Sequence, residues 1–230
     1  MGLQTTIVGG GAMGASIVRG LIDQGVTHHT EIRVVELVPE RRSALDKEFG
    51  VITAADLPSS GGELPLVILA IKPQNFGDLA QRLRPAIASS TLVISIMAGV
   101  PRAALNSGLG TDRIVRAMPN IAAQVGHGVS VWISDSGVTD FDRELTRTVL
   151  GALGTEIEIE HEPLIDVATA VHGSGPAYVF LLAEAWIDAA VGQGLDQATA
   201  ELLVRETILG SGQLWKTSND SPAALRQAVT

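Results

Sequence analysis

The sequence predicts an α/β protein in which a parallel-sheet domain is followed by a smaller all-α domain. Over the first two-thirds of the chain, short runs rich in β-branched residues alternate with amphipathic helical stretches, as in βαβ units. A glycine-rich turn directly follows the first of these runs. From about Pro163 the strand-like runs stop, and helical segments follow one another to the end. We therefore expect a sheet domain over residues 1–160 and a helical domain over residues 161–230.

Six strands and four helices are predicted for the sheet domain. The strands are expected at Thr5–Gly9, Ile32–Glu36, Leu66–Ile71, Leu92–Ile96, Ile114–Met118 and Val129–Ile133. The helices are expected at Met13–Gln24, Glu40–Phe49, Phe76–Arg84 and Phe141–Leu150. The third strand, with the sequence LVILAI, is apolar throughout, which is typical of a central parallel strand with both faces covered.

The helical domain contains a segment that it cannot bury by itself. The helix predicted over Ala177–Val191 is almost wholly apolar, and only Glu184 and Asp188 carry charge. A helix that is apolar around most of its circumference must be covered from more than one side. A domain of this size cannot supply that cover, so we expect a second subunit to supply it in a homodimer.

Composition and charge favour a cytoplasmic globular protein. With 46% hydrophobic and 18% charged residues over 230 positions, the chain has enough apolar side chains for a packed core. The net charge of −9, without any cluster of Lys and Arg, argues against a nucleic-acid partner. No apolar run reaches the ~18 residues of a membrane span, so we expect no contact with a membrane and no signal peptide. The lack of cysteine and the scattered positions of the five histidines predict no metal site.

The turn after the first strand has the spacing of a dinucleotide-binding loop. Residues Gly9–Gly14 read GGGAMG, which matches G-x-G-x-x-G between a strand and a helix. Gly9 permits the tight turn, Gly11 lets the backbone approach a pyrophosphate, and Gly14 lets the helix and strand pack closely. The N-terminus of the helix then faces the phosphate charge. An ordinary βαβ turn is the alternative, but the succession of strand, glycines and helix favours a Rossmann domain.

An acidic residue ends the second predicted strand, where a Rossmann domain holds the adenosine ribose. Glu36 follows Gly14 by 22 residues, which suits a carboxylate that accepts both ribose hydroxyls. Such a carboxylate favours NADH, because it repels the 2′-phosphate of NADPH. Arg41 and Arg42 follow shortly after Glu36. They either offset the repulsion by pairing with the 2′-phosphate or are solvated arginines on the surface of a helix. The choice between NADPH and NADH therefore stays open, as does the alternative of a surface glutamate.

Three further motifs follow predicted strands, at the edge where open α/β sheets bind ligands. They are Ala70-Ile71-Lys72-Pro73-Gln74, Ser95-Ile96-Met97-Ala98-Gly99-Val100 and Arg116-Ala117-Met118-Pro119-Asn120. A fourth motif, His172-Gly173-Ser174-Gly175-Pro176-Ala177-Tyr178, lies at the start of the apolar helix. In this order, from Thr5 to Thr230, the set resembles the pyrroline-5-carboxylate reductase family.

The resemblance implies an enzyme of proline biosynthesis. Members of the family transfer hydride from NADPH or NADH to the ring imine carbon of 1-pyrroline-5-carboxylate and form L-proline. The resemblance also implies a helical domain that interleaves with a partner's, in homodimers that often assemble into decamers. By the same resemblance, the cofactor would be lined by Gly9, Gly10, Gly11, Ala12, Met13, Gly14, Glu36, Ala70, Ile71, Lys72, Pro73, Ile96, Met97 and Ala98. Lys72 would otherwise be a plain surface cation, but its position at a strand end beside Pro73 favours the site.

The resemblance also implies a substrate side. It would include Glu162, Ser174, Gly175, Pro176, Val229 and Thr230. Ser174 would also serve as the N-cap of the following helix, and Glu162 is otherwise an acid in the first turn of a helix. No catalytic residue is identified, because the nicotinamide donates the hydride and the protein mainly has to position the imine.

The chain departs from the family pattern at three places. Ala12 stands where members commonly have Asn, and Ile121 stands where they commonly have Thr. Both changes remove a polar side chain near the cofactor and leave the backbone intact, so we expect modest effects. The Ser-Pro-Gly-Gly-Thr-Thr substrate loop of the family would begin directly after Thr230, so we expect the helical domain to be truncated at its C-terminus.

Two other functions remain open at this point. A β-hydroxyacid-dehydrogenase-like reductase also joins a Rossmann domain to a helical one, but it needs a lysine acid/base on the helical domain. The lysine of the helical domain is Lys216, near the end of a predicted helix, and nothing in the sequence around it indicates a site. A non-catalytic dinucleotide-binding protein is the second alternative, which the expected loss of the substrate loop favours.

Overall fold

The computed structural model describes residues 3–57 and 64–230. An eight-stranded sheet forms the core of a first compact unit that ends at Ser174, and Gly175–Thr230 form a second, helical unit. The strands are β1 (Thr5–Val8), β2 (Ile32–Val35), β3 (Ile52–Ala54), β4 (Leu66–Leu69), β5 (Leu92–Ser95), β6 (Ile114–Pro119), β7 (Gly128–Ser134) and β8 (Gly154–Glu158). The helices are α1 (Ala12–Asp23), α2 (Pro39–Phe49), α3 (Phe76–Leu83), α4 (Arg102–Leu109), α5 (Asp140–Gly151), α6 (Pro163–Ala168), α7 (Gly175–Gly192), α8 (Gln197–Thr217) and α9 (Pro222–Val229). The domain boundary at residue 160 stays a prediction.

The sheet reverses its direction of growth beside β1. The strand order is β3-β2-β1-β4-β5-β6-β7-β8. β1 pairs in parallel with β2 and β4, so that Thr5 lies opposite Ile32 on one side and opposite Leu66 on the other. The chain therefore builds the sheet in one direction as far as β3 and in the other direction from β4 onward. The carboxyl ends of β1 and β4 flank this point of reversal, which is where open α/β sheets bind ligands.

Both faces of the sheet are covered, which explains why the central strands are apolar throughout. Ile68 of β4 packs in the cluster that contains Leu21 of α1. Its neighbours Val67 and Leu69 pack in the opposite cluster, which contains Leu83 of α3. Successive strand residues point to opposite faces, so helices on both sides require apolar side chains at every position. The prediction of a central, doubly covered strand is confirmed.

The structure adds β3, β8 and α4 to the predicted elements. β3 has three residues and none of them is buried, so it carries no hydrophobic pattern. β8 has the sequence GTEIE, alternates partly buried and exposed residues, and lies at the edge of the sheet. α4 contains Asn106 and Gly108, which have low helix propensity. β3 and β8 form by backbone pairing with β2 and β7, and α4 forms by packing Leu105 and Leu109 into the core, rather than from a local pattern.

The sheet is mostly parallel, as predicted, but β7 runs antiparallel to β6. Met118 of β6 lies opposite Val131 of β7 in this antiparallel pair. A short 3-10 turn, Ile121–Val125, joins the two strands. A parallel connection needs a crossover of about a dozen residues or more, so a link this short reverses the chain. β8 then returns parallel to β7 after α5.

An ion-pair network anchors α6 to the sheet. The almost fully buried Arg116 of β6 donates to Glu162 (Nη1···Oε1, 3.1 Å) and to Asp166 (Nη2···Oδ1, 2.9 Å). The backbone N–H of Arg102, at the start of α4, donates to the same Glu162 oxygen at 2.8 Å. Burial alone would raise the pKa of the Glu162 carboxyl, but the hydrogen bonds from Arg102 and Arg116 outweigh it and hold the pKa below its usual range. Glu162 is therefore a charged anchor directly before α6.

The second unit leaves its most apolar helix uncovered. α7 contains no buried residue, and Phe180, Leu181 and Trp186 are 66%, 65% and 43% exposed. In this unit, which is described throughout, only Ala200 and Val204 of α8 are buried. No helix in the described parts of the chain is long and apolar enough to cross a membrane. The single chain therefore does not cover the apolar surface of α7.

Because Glu162 is a charged anchor, we expect the free energy of unfolding to depend on pH. Because the pKa of the folded carboxyl lies below its ordinary value of 4.5, its ion pairs stabilise the fold above that value, and the stabilisation is lost as the pH falls below it. We expect Glu162→Gln to lower the free energy of unfolding by about 1–3 kcal/mol at pH 7. The loss should be smaller at pH 3, because that pH lies below 4.5, where the unfolded chain takes up a proton that the folded carboxyl resists. Urea unfolding at the two pH values measures the difference.

Glu160→Gln is the matched control for this prediction, because Glu160 is an exposed carboxylate two positions earlier. It should change the free energy of unfolding by less than about 0.5 kcal/mol at either pH. A loss for Glu162→Gln that is as large at pH 3 as at pH 7 would contradict the charged anchor.

Candidate functional site

Two glycines pack tightly in the turn between β1 and α1. Gly9 has φ +109°, and a Cβ built on it would lie 2.4 Å from the carbonyl oxygen of Ala70. A Cβ on Gly14 would lie 2.0 Å from the carbonyl oxygen of Gly9. Neither position has room for a side chain, so the backbone of α1 sits directly on the end of β1. This contact brings the loop after β4 against the glycine turn.

Gly11 faces open space at the start of α1. It is the N-cap residue, with φ −73° and ψ −172°, angles that any residue adopts, and a Cβ on it would meet nothing within 4 Å. No side chain among the described residues caps this helix, so its first backbone N–H groups remain available to another acceptor. Ala12 is exposed and Met13 is partly buried beside them. The loop therefore has the space and the donors that a phosphate group requires.

Glu36 lies beneath this loop with its carboxylate held by the backbone. The N–H of Gly10 donates to Oε2 and the N–H of Val38 donates to Oε1, each at 2.9 Å. The side chain of Glu36 is only 8% exposed, and Nη1 of Arg41 is 3.9 Å from Oε2. Arg42 donates from Nη1 to the Glu36 carbonyl at 2.6 Å and also to the carbonyl that follows it. The carboxylate is thus a fixed negative charge between the glycine turn and the loop after β2.

A cavity of about 270 Å³ opens beside this loop, at the carboxyl ends of β1, β2 and β4. Its apolar lining includes Leu37 and Ile71, and its charged lining consists of Asp56, Asp78 and Arg82. Arg82 pairs with Asp56, and the backbone N–H that follows Asp56 together with this guanidinium holds the pKa of the Asp56 carboxyl below its usual range. The volume is close to the lower end of the range for small-molecule sites.

Two further loops leave the same edge of the sheet. The N–H of Ala70 donates to the Val8 carbonyl at 2.8 Å, and the N–H of Ile96 donates to the Leu69 carbonyl at 3.1 Å. These bonds continue the parallel ladders into the loops after β4 and β5. Both loops are therefore positioned by backbone pairing.

The side chains of these two loops differ in what they can offer a ligand. Lys72 is exposed at the start of a short 3-10 turn, Pro73–Asn75. Ala98 is exposed, whereas Met97 is 2% exposed and packs in the core. Only the backbone of Met97 can face a ligand at this edge. Ile71 and Ile96 are partly buried.

The residues predicted for the substrate side are divided between the two units. The first unit contains Glu162 and Ser174, and the second contains Gly175, Pro176, Val229 and Thr230. Glu162 is engaged by Arg102 and Arg116, as described above. Ser174 is exposed and has helical φ and ψ of −87° and −18°, because its N–H bonds to the Thr169 carbonyl at 3.0 Å. An N-cap residue normally has extended backbone, so Ser174 does not have the geometry that its predicted capping role requires.

Asn120 and His172 hold the π-helical turn Thr169–Gly173, a role that the sequence motifs did not reveal. Nδ2 of Asn120 donates to the His172 carbonyl at 3.1 Å. Nε2 of His172 lies 2.8 Å from the Met118 carbonyl, and Nδ1 lies 2.6 Å from the Ala168 carbonyl. The turn is therefore tied to the end of β6, and π-helical turns occur frequently at functional sites. The one indication in the sequence was that Asn120 and His172 each belong to a motif shared with the family, Arg116–Asn120 and His172–Tyr178.

Both parts of the chain match families of known proteins. Residues 162–230 match the family described as "Pyrroline-5-carboxylate reductase dimerisation", and residues 4–99 match the family described as "NADP oxidoreductase coenzyme F420-dependent". A curated pyrroline-5-carboxylate reductase from Pseudomonas aeruginosa is 37% identical over 224 residues, which are 97% of this chain and 82% of the relative.

Solved structures give the same result. A pyrroline-5-carboxylate reductase from Coxiella burnetii superposes with a TM-score of 0.93 at 33% identity, over 100% of this chain and 86% of that one. The pyrroline carboxylate reductase of Plasmodium falciparum, solved with NADP bound, has a TM-score of 0.85 at 28% identity, over 99% of this chain and 84% of that one. These relatives match the sheet domain and the helical domain alike. The chain belongs to the pyrroline-5-carboxylate reductase family.

Proposed function

We propose that this protein reduces the ring imine of 1-pyrroline-5-carboxylate to L-proline with a reduced nicotinamide dinucleotide, NADPH or NADH. The observation that carries the proposal is the glycine turn, which leaves Gly11 and the first turn of α1 open to a phosphate in a chain of this family. Relatives over almost the whole chain bear the name of this activity, and one was solved with NADP bound. The cytoplasm, which the composition favours, stays the predicted compartment.

The dinucleotide would lie along the carboxyl edge of β1, β2, β4 and β5. Backbone N–H groups at the start of α1 would hold its pyrophosphate, and the cavity beside Leu37 would take its adenosine end. The loops Ala70–Pro73 and Ile96–Ala98 would line its nicotinamide end. The bound nicotinamide supplies the hydride. The task of the chain is to fix the ring and the imine against each other, which removes much of the entropic cost of their meeting.

On the substrate side we assign Glu162 a positioning role. Its carboxylate accepts hydrogen bonds from Arg102 and Arg116, so its charge is already neutralised by partners of the same unit. Ser174 remains a proposed substrate neighbour, because it is exposed directly after the π-helical turn that Asn120 holds. The same role is proposed for Gly175, Pro176, Val229 and Thr230.

The competing reductase with a catalytic lysine receives little support. Lys216 lies in the last turn of α8 and is exposed. An acid/base residue has to lie within hydrogen-bond reach of the proton that it transfers, and an exposed lysine at the end of a helix gives no indication of such a site. A non-catalytic dinucleotide-binding protein is likewise disfavoured, because a curated relative that is 37% identical over 97% of this chain is named pyrroline-5-carboxylate reductase.

We further propose that the protein is a homodimer through α7. The exposed side chains of Phe180, Leu181 and Trp186 lie on this helix, and the family match over residues 162–230 is described by dimerisation. A groove of about 310 Å³ between α7 and α8 has a largely apolar lining that includes Ala183 and Ile208. Covering such side chains gains about 25 cal/mol for each Å² of apolar surface, and a second copy offers the same apolar helix.

The activity itself is the first test of the proposal. The protein as its source makes it should oxidise NADPH or NADH when pyrroline-5-carboxylate is added, and L-proline should form in equal amount. Absorbance of the reduced nicotinamide and chromatography of the product measure the two. Turnover of a β-hydroxyacid without turnover of pyrroline-5-carboxylate would favour the competing reductase, and binding without any turnover would favour the non-catalytic protein.

Gly11→Val tests the phosphate loop. Because a Cβ at Gly11 meets nothing within 4 Å, the variant should fold, and its melting temperature should fall by no more than about 4 °C, since valine is a poorer N-cap than glycine. Its side chain would occupy the space of the pyrophosphate. Since charge-assisted hydrogen bonds contribute about 1.5–3 kcal/mol each, affinity for the dinucleotide should fall by more than about tenfold. Fluorescence titration with NADH and NADPH measures the loss.

Gly151→Val is the matched control for the loop variant, because Gly151 ends α5 and its Cβ would also meet nothing. This control should bind the dinucleotide as the wild type does. Unchanged affinity in Gly11→Val would exclude the glycine turn as the phosphate site.

Leu181→Asp tests the dimer. Light scattering should give twice the monomer mass for the wild type, and the variant should shift toward the monomer at micromolar concentration, because a carboxylate would be buried in an apolar interface. Phe141→Asp is the control, since Phe141 is 76% exposed on α5 of the first unit. A wild-type protein that is a stable monomer would refute the proposed dimer.

A further inference from the structure

We propose that Glu36 makes this protein selective for NADH over NADPH, by holding a fixed negative charge where the two cofactors differ. The inference rests on the proposed function, because it assumes that a dinucleotide occupies the glycine turn. It concerns the 2′ position of the adenosine ribose, which carries a hydroxyl in NADH and a phosphate in NADPH. Family membership does not decide between them for this chain.

Glu36 cannot move aside to admit a phosphate. Its Oε2 accepts the N–H of Gly10 and its Oε1 accepts the N–H of Val38, both at 2.9 Å, and the side chain is 8% exposed. Rotation of the carboxylate would leave the N–H of Gly10, a buried residue, without its acceptor. Rotation would also release the glycine turn on which the pyrophosphate depends. The geometry therefore keeps the charge in place.

The same carboxylate can still receive a ribose hydroxyl. An ionised carboxylate offers about four lone-pair positions, and the two backbone N–H groups use two of them. A hydroxyl at the 2′ position can donate to one that remains. A phosphate at that position can only repel the carboxylate, because it has no proton to donate when it is fully ionised.

The cations around the loop each have an acceptor within the described structure. Arg42 donates to the carbonyls of Glu36 and Leu37, and Arg82 pairs with Asp56 in the neighbouring cavity. Arg41 is 59% exposed, and the one charged group it approaches in the described structure is Glu36 itself. Its charge partly offsets that carboxylate and leaves little attraction for a phosphate.

The cavity next to this loop adds to the discrimination. Asp56 and Asp78 line it, and Arg82 is the cation among its lining residues. In this cavity two carboxylates therefore lie beside one guanidinium that is already paired. Negative charge in a cleft repels an anionic group more strongly than it would in free water, because the protein walls screen it less.

Equilibrium binding to the protein without substrate tests the inference. The protein as its source makes it is titrated separately with NADH and NADPH, followed by nicotinamide fluorescence and by calorimetry. We expect the Kd for NADPH to exceed the Kd for NADH by at least about tenfold, which corresponds to about 1.4 kcal/mol. Glu36→Gln removes the charge and keeps the size, and it should reduce the ratio of the two constants to within about threefold.

Glu40→Gln is the matched control, because Glu40 is an exposed carboxylate in the first turn of α2, outside the glycine turn. It should preserve the wild-type ratio. The ratio of the two dissociation constants is the readout, because Glu36→Gln also loses one hydrogen bond of the loop and so weakens the binding of both cofactors. Only the difference between the two affinities reports on the charge. If that variant is unstable, a wild-type protein that binds NADPH as tightly as NADH or more tightly would still overturn the inference.

The outcomes separate the two proposals. Tighter or equal binding of NADPH by the wild type would overturn the selectivity while leaving the proposed function intact. An unchanged ratio in a folded Glu36→Gln variant would show that another residue discriminates. Binding of neither dinucleotide would overturn the proposed function, and this inference with it.

Discussion

The close contact between the backbone of α1 and the end of β1 determines the geometry of the site. Gly14 lies against the carbonyl of Gly9, and Gly9 lies against the carbonyl of Ala70, at distances that leave no room for a Cβ. The first contact points the start of α1 at the carboxyl edge of the sheet. The second brings the loop after β4 to the same place, beside the reversal of strand order. A ligand at this edge would meet backbone donors from a rigid helix end, because the sheet holds both loops in position.

In the proposed site the chain would meet a negatively charged ligand mainly through its backbone. It carries a net charge of −9, and the arginines nearest the site are occupied by carbonyls or carboxylates, as Arg42 and Arg82 show. Helix N-terminal N–H groups bind phosphate without a cationic side chain. This arrangement explains how an acidic protein can present a phosphate site and still place a carboxylate, Glu36, beside it. The buried hydrogen bond between Glu36 and Gly10 also makes the charge and the shape of the loop depend on each other.

The helical unit is governed by a different constraint, the apolar surface of α7. No residue of this helix is buried in the single chain. The 56 residues from Gly175 to Thr230 include further apolar side chains, such as Leu202 and Leu209, that are exposed as well. The first unit needs no such help, because helices on both faces of its sheet complete two apolar clusters. The two units therefore differ in how their cores are made, one within the chain and one, as proposed, between chains.

The sequence by itself determined the elements that depend on neighbours along the chain. The G-x-G-x-x-G spacing, the apolar run LVILAI and the long apolar helix each predicted their structure, because strand, turn and helix periodicities act over a few residues. The sequence did not predict β3, β8 and α4, which are short or weakly patterned, because strand pairing and tertiary packing produce them. The reversal of β7 followed from a turn too short for a crossover, which the strand pattern alone did not reveal.

Only the tertiary structure decided which side chains are free to act. Glu36 was predicted as a ligand neighbour from its position, and Glu162 from the family resemblance. The fold shows that Glu36 is bonded to a backbone N–H 26 residues away, and that Glu162 is bonded to a guanidinium 46 residues away. A carboxylate that is already hydrogen-bonded within the fold helps to hold the structure, whereas an exposed one can bind a ligand directly. The physical reason is that hydrogen bonds and burial depend on distance in space, which a linear pattern does not contain.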